Sequence, residues 1–180
     1  MATASDWKGP NSETNWLIPG KLLMGACPRS LAEAEAVRQA QIKTFVCLLD
    51  EEDFENRMPR PEYFSAAREL GLHVVWHPIP DGKTVADELA FKLTHELVKY
   101  IRKGGIVFLH CWTGYGRAAT IGVMVIGLWY GMSMDEALAF VRRSLASRSN
   151  QSVSVPPCPQ TAEQEEQIER FFKVLAAEIP

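Results

Sequence analysis

The stretch that decides the fold is GIVFLHCWTGYGRAATIGVMVIGLWYG, residues 105–131. It opens with a short apolar run rich in β-formers and closes with a long apolar run of helical length. Between them lies HCWTGYGR, residues 110–117, carrying a thiol, two glycines and an arginine. A buried strand that ends in a glycine-bearing turn and feeds a buried helix reads as a unit of a parallel α/β sheet. The joint is also where such a unit binds anions. The first amides of the helix have no intrahelical partner, and the helix dipole adds to their pull.

Working outward, the same alternation covers the chain. The runs LLMGA (22–26), KTFVCLL (43–49) and HVVWHPI (73–79) read as strands, beside GIVFLHC (105–111). Helical patterns fill 30–40, 61–70 and 84–103, and then 117–130, 133–146 and 161–177. Thr84 and Asp87 have capping-box spacing at the start of the 84–103 helix, and Leu89, Leu93, Leu97 and Ile101 form its apolar stripe. SRSNQSVSVPPCPQ (147–160) is a polar, proline-rich loop. The fold class expected is α/β, a single domain with a central, mostly parallel β-sheet flanked by α-helices. Residues 1–14 form a flexible N-terminal tail on this reading, and 15–180 the folded domain.

Composition limits the partners. The 180 residues are 47% hydrophobic and 23% charged, with a formal net charge of −3. That balance disfavours a nucleic-acid footprint or a polybasic membrane patch. The four cysteines, Cys27, Cys47, Cys111 and Cys158, show no metal-ligand spacing, so no metal and no cofactor is expected. They read as reduced thiols of a cytoplasmic protein, with nuclear access left open. The N-terminus lacks a signal-peptide core, Ala2 replaces the glycine that myristoylation needs, and AAEIP is not a prenylation box. The apolar stretch 118–132 is shorter than the about 20 residues that span a bilayer. The expectation is a monomer without a stable membrane anchor, acting on a phosphoprotein.

The chemistry follows from the loop. Gly114 and Gly116 allow its amides to converge, and Arg117 offers a planar fork matching two phosphate oxygens. Cys111 at the base of that cradle should have a lowered pKa and act as a thiolate nucleophile. His110 suits bracing by hydrogen bonds better than proton transfer. Trp112, Thr113, Gly114, Tyr115 and Gly116 complete the phosphate loop, with the Trp112 ring walling the pocket mouth or buried behind it. No GK[ST] follows, and GxGxxG is absent, which argues against nucleotide loops.

HCxxGxGR resembles the signature of the cysteine-dependent protein tyrosine phosphatases, in particular their small atypical dual-specificity branch. NWLIPGKLLMGACPR, TFVCLLDE and PIPDG are similar, in order and spacing, to segments of the same branch and its mitotic-exit relatives. The resemblance implies a phosphocysteine intermediate and a general acid on the strand-exit loop about thirty residues before the nucleophile, which is Asp81. The prolines at 78 and 80 stiffen that loop and Gly82 frees it behind the acid. Asp50 and Asp53 read instead as loop or capping residues, and Asp87 as a capping residue. Arg29 resembles a family arginine that borders the site, yet by itself reads as a surface charge. Gln164 matches a family glutamine in position only and is given no role.

The activity implied is hydrolysis of phosphotyrosine, with phosphoserine and phosphothreonine beside it. A phosphoinositide or inositol-phosphate phosphatase is the first alternative, disfavoured because WTGYG contains no lysine. A slow or trapping phosphoprotein-binding module is the second, suggested by Ala118. Most relatives carry a hydroxyl there that is thought to assist phosphocysteine hydrolysis, although the phosphatases of regenerating liver also have alanine. Cys47 is the candidate redox partner of Cys111, although related phosphatases place theirs where Leu49 stands.

Overall fold

A computed structural model describes residues 7–56, 58–148 and 157–177. Five strands form one mixed sheet in the order β1-β2-β5-β3-β4: β1 (Thr14–Ile18), β2 (Leu22–Ala26), β3 (Thr44–Cys47), β4 (His73–Trp76) and β5 (Val107–Cys111). β1 and β2 are an antiparallel hairpin, and every other pairing is parallel. Among the described residues seven helices surround the sheet: α1 (Leu31–Arg38), α2 (Glu51–Asn56), α3 (Arg60–Glu69), α4 (Asp87–Arg102), α5 (Arg117–Tyr130), α6 (Met134–Leu145) and α7 (Ala162–Ala177).

The sheet separates two cores, and side-chain alternation assigns each strand residue to one of them. Val46 and Leu48, with Val107, Leu109 and Cys111, face the larger core under α4, α5, α6 and α7. Phe45, Cys47, Leu49 and Phe108 face the smaller core under α1, α2 and α3. β5 lies between β2 and β3 and is buried throughout, which is why VFLHC reads as an unbroken apolar run. α5 is buried at every residue from Arg117 to Gly127 and serves as the central core helix. The junction of β5 and α5 therefore sits at the carboxyl ends of the parallel strands, where open α/β sheets bind their ligands.

The structure adds two elements and alters several boundaries. β1 and α2 were not expected from the sequence pattern. The third and fourth strands end at Cys47 and Trp76, before the anticipated 49 and 79. Beyond them the chain continues as extended backbone tied by His77 N–H to Cys47 O (2.9 Å) and Ile79 N–H to Leu48 O (3.2 Å). The capping box at the start of α4 is absent. The N-cap is Ala86, Thr84 donates to Glu163 (3.0 Å), and Asp87 pairs with Arg170 (2.6 Å). The box that does form joins Ser133 and Glu136 at the start of α6. The α4 stripe runs through Ala90, Leu93, Leu97 and Ile101, whereas Leu89 is exposed. Of the expected tail, residues 1–6 lie outside the described residues. From Trp7 onward it is packed, with the Trp7 ring 5.4 Å from Phe140 and Gly9 N–H donating to Thr14 O. Most of the 147–160 loop also lies outside the described residues.

Candidate active site

Cys111 ends β5 and Arg117 begins α5, so the phosphate loop is the shortest path from strand to helix. Gly114 lies at φ +82°, a conformation that side-chain-bearing residues avoid, and its N–H donates to Cys111 Sγ at 3.3 Å. Gly116 meets a different need. A Cβ there would lie 2.3 Å from Gln160 Oε1 and 3.2 Å from Gln164 Nε2. No side chain caps the start of α5, which leaves its first amides to the loop interior.

The loop is braced from the smaller core. His110 is fully buried, with Nε2 2.7 Å from the Tyr63 hydroxyl. Burial holds the Tyr63 phenol well above its ordinary pKa, so that hydroxyl stays protonated. This bond ties the start of the loop to α3. Trp112 is half-buried: it packs on the smaller core and also lines a cavity at the loop mouth. Tyr115 is 6% exposed and packs in the larger core, its ring 4.7 Å from the Arg148 guanidinium.

Arg117 is the hub of the site. Its side chain is 1% exposed and makes four polar contacts. Nη1 donates to Asp53 Oδ2 in a very short bond and to Ile79 O at 2.7 Å. Nη2 donates to Asp53 Oδ1 at 3.2 Å and lies 3.0 Å from Asp81 Oδ1. Burial works against the guanidinium charge. The Asp53 hydrogen bond and the charges of Cys111, Asp53 and Asp81 more than offset it, and the net pKa is raised. Arg117 thus links the two other predicted residues: it pairs with Asp81, whose side chain is 78% exposed, and interacts by charge with Cys111.

Asp53 corrects the sequence reading. It does exchange hydrogen bonds with Asp50, each backbone N–H donating to the other's carboxylate at 2.9–3.0 Å. It is also 8% exposed and holds the loop arginine with both oxygens. The signal in the sequence was faint: an acidic turn directly after β3, the strand beside β5. Gln164 is fully buried, with Nε2 3.5 Å from Lys83 O, and so packs between the acid loop and Gly116. Arg29 is a surface residue paired with Glu13 and Glu33. Trp76 Nε1 donates to Leu49 O at 2.6 Å, and Trp129 packs against the larger core.

Cys47 does not face Cys111. Its strand partner is His110, and it shares that face and the smaller core. Burial pushes its thiol up to about 12, although hydrogen bonds from Leu49 and Tyr63 act in the opposite direction. It is a neutral packing thiol.

The mouth cavity, about 470 Å³, is lined by Asp50, Glu52, Asp53, Asn56, Pro80, Asp81, Lys83 and Trp112. Among the described residues Lys83 is the one cation in that lining, and it is paired with Glu163 at 3.2 Å. A 360 Å³ groove between α4 and α7, and a 450 Å³ hollow beside β3 and β4, have no cysteine in their walls.

Residues 11–171 match the family model described as "Swiss Army Knife protein, DSP-PTPase phosphatase domain". No curated protein matches the sequence. Among solved structures, the active form of Tk-PTP aligns with a TM-score of 0.72 at 23% identity, covering 89% of this chain and 97% of its own. PTPMT1 in complex with PI(5)P aligns at 0.68 and 18% identity, covering 97% and 100%. Pseudomonas aeruginosa TpbA in complex with phosphotyrosine aligns at 0.62 and 14% identity, covering 97% and 99%.

Proposed function

The chain belongs to the dual-specificity phosphatase branch of the cysteine-based protein tyrosine phosphatases, and we propose that it is a protein phosphatase acting on phosphotyrosine and on phosphoserine or phosphothreonine. The observation that carries the reading is the meeting at Arg117 of the thiol-bearing loop and the acid-bearing loop.

In the proposed reaction the Cys111 thiolate attacks phosphorus, displacing the substrate oxygen. Arg117 and the backbone amides of 112–117 hold the three phosphoryl oxygens as charge develops on them. Asp81 protonates the departing oxygen and then takes a proton from the water that cleaves the phosphocysteine. Asp53 keeps the Arg117 fork aimed, so that the incoming phosphate replaces Asp81 and not Asp53 as a partner. No metal enters this scheme. The four cysteines are free thiols, which suits a reducing compartment, and we place the protein in the cytoplasm as a monomer.

The acidic mouth favours a peptide over a lipid headgroup. Asp50, Glu52, Asp53 and Asp81 line it, and its lysine is already paired. A polyphosphorylated inositol would bring extra negative charge against these carboxylates, whereas a single phosphate on a peptide would not. The test is a panel of phosphopeptides, phosphoinositides and inositol phosphates, with Cys111→Ser as control. Phosphopeptides should give the highest kcat/KM. A preference for phosphoinositides would transfer the same chemistry to lipid, and stoichiometric binding without turnover would make the chain a trapping module.

A further inference from the structure

Against the phosphate loop, outside the lining of the mouth cavity, lies a second buried arginine. Arg148 follows the last turn of α6 and is 4% exposed. Its Nε donates to Asn15 Oδ1 at 2.7 Å. Asn15 in turn donates from Nδ2 to Ser144 Oγ at 2.6 Å, and Ser144 donates to Trp16 O at 2.8 Å. This chain of bonds fixes the guanidinium against β1 and α6. Nη1 then donates to the Thr113 carbonyl of the phosphate loop at 2.8 Å, and the group lies 4.7 Å from the Tyr115 ring. Nη2 is buried without a hydrogen-bond partner among the described residues and lies against Gly114, where a Cβ would come within 2.7 Å of it.

A buried guanidinium is costly unless something nearby uses its charge. No carboxylate lies within ion-pair distance of Arg148 among the described residues; Glu13, which acts on it from farther off, is itself paired with Arg29. Burial pushes the Arg148 pKa down, and the groups that act against burial are Tyr115, Cys111 and Glu13. Arg117 from α5 and Arg148 from beyond the end of α6 both act on Cys111 by charge, while Asp53 and Asp81 are paired with Arg117 and Cys47 lies in the opposite core.

We infer that Arg148 is a positioning residue of the phosphate loop, clamping its Thr113 carbonyl from behind and setting a second buried cation beside Cys111. Two effects follow. The clamp holds a loop carbonyl turned away from the cavity, so that the amides face the phosphate. The charge acts on the sulfur by Coulomb attraction without touching substrate. The inference rests on the phosphatase reading above, in which Cys111 and these amides do the work.

The experiment measures vanadate affinity and the pH dependence of iodoacetamide alkylation at Cys111, located by peptide mapping because Cys27, Cys47 and Cys158 are also present. Arg148→Met removes both clamp and charge. It should weaken vanadate binding about tenfold and move the alkylation midpoint up by about one pH unit. Arg148→Lys keeps the charge and loses the fork. Its midpoint should stay near that of wild type while vanadate affinity falls. A purely structural role would lower the melting temperature and leave the midpoint in place. Wild-type vanadate affinity in Arg148→Lys overturns the clamp, even if Arg148→Met does not fold. A wild-type midpoint in a folded Arg148→Met overturns the charge. Failure of the wild-type protein itself to bind vanadate would count against the phosphatase reading instead.

Discussion

The two loops that meet at Arg117 are built in opposite ways. The phosphate loop, 110–117, is buried and tied at several points: His110 to Tyr63, Gly114 N–H to the Cys111 sulfur, Arg117 to Asp53. The acid loop is tied through its backbone, at Ile79 and Gly82, and its Asp81 has 78% of its side chain exposed with an ion pair to the same arginine. The difference separates two demands on a phosphatase. The groups that stabilise the transferring phosphoryl need fixed geometry before substrate arrives. The acid must give up Arg117 when phosphate binds and then follow a proton, so a strong anchor would work against it.

Removing each carboxylate partner of Arg117 breaks the comparison in a different place. Asp53→Ala leaves a buried guanidinium without its main counter-charge. It should cost about 3–5 kcal/mol of stability, read from urea unfolding, and activity should fall with it. An unchanged unfolding midpoint would mean the phosphate loop does not depend on that pair. Asp81→Asn should do the reverse. An exposed ion pair contributes at most about 1 kcal/mol to stability, but loss of the acid should slow kcat by roughly 10²-fold for a poor leaving group. The deficit should shrink for an activated aryl phosphate, and equal losses with both leaving groups would point to another acid.

Ala118 sharpens the fixed half. It is fully buried in the first turn of α5, the position at which the family resemblance implies a hydroxyl that assists phosphocysteine hydrolysis. Without it, phosphoenzyme hydrolysis should limit turnover, giving a burst of alcohol followed by a slow steady state. Ala118→Ser should raise the steady-state rate about tenfold, the effect of about 1.4 kcal/mol, without enlarging the burst. No burst in the wild type, together with an unchanged kcat in the variant, would remove this step as limiting.

The contrast between the loops also explains what the sequence could reveal. β5, the phosphate loop and α5 form one continuous stretch, so local pattern and residue chemistry were enough to place Cys111 and Arg117. Asp81 was readable because its prolines and glycine punctuate a strand exit. Asp53 was not, because its partner lies 64 positions away and a six-residue acidic helix has too few turns to show a period. β1 was missed because TNWLI buries two polar residues: Thr14, bonded to nearby Asn11, and Asn15, whose partners Ser144 and Arg148 come from α6 and just beyond it. Thr84 and Asp87 show the opposite failure. Their spacing suits a cap, but Glu163 and Arg170 of α7 supply other partners.

The claim that the fixed loop carries the nucleophile is tested most directly by acid-quenching the enzyme during turnover of an aryl phosphate and mapping the modified peptide. A phosphoryl group is expected on the peptide containing Cys111 and should be absent in Cys111→Ser. That variant should still bind vanadate but retain no more than a few per cent of the activity, because a serine hydroxyl without a positioned base is almost wholly protonated. Turnover by Cys111→Ser near the wild-type rate, or a phosphoryl group trapped on another residue, would contradict it.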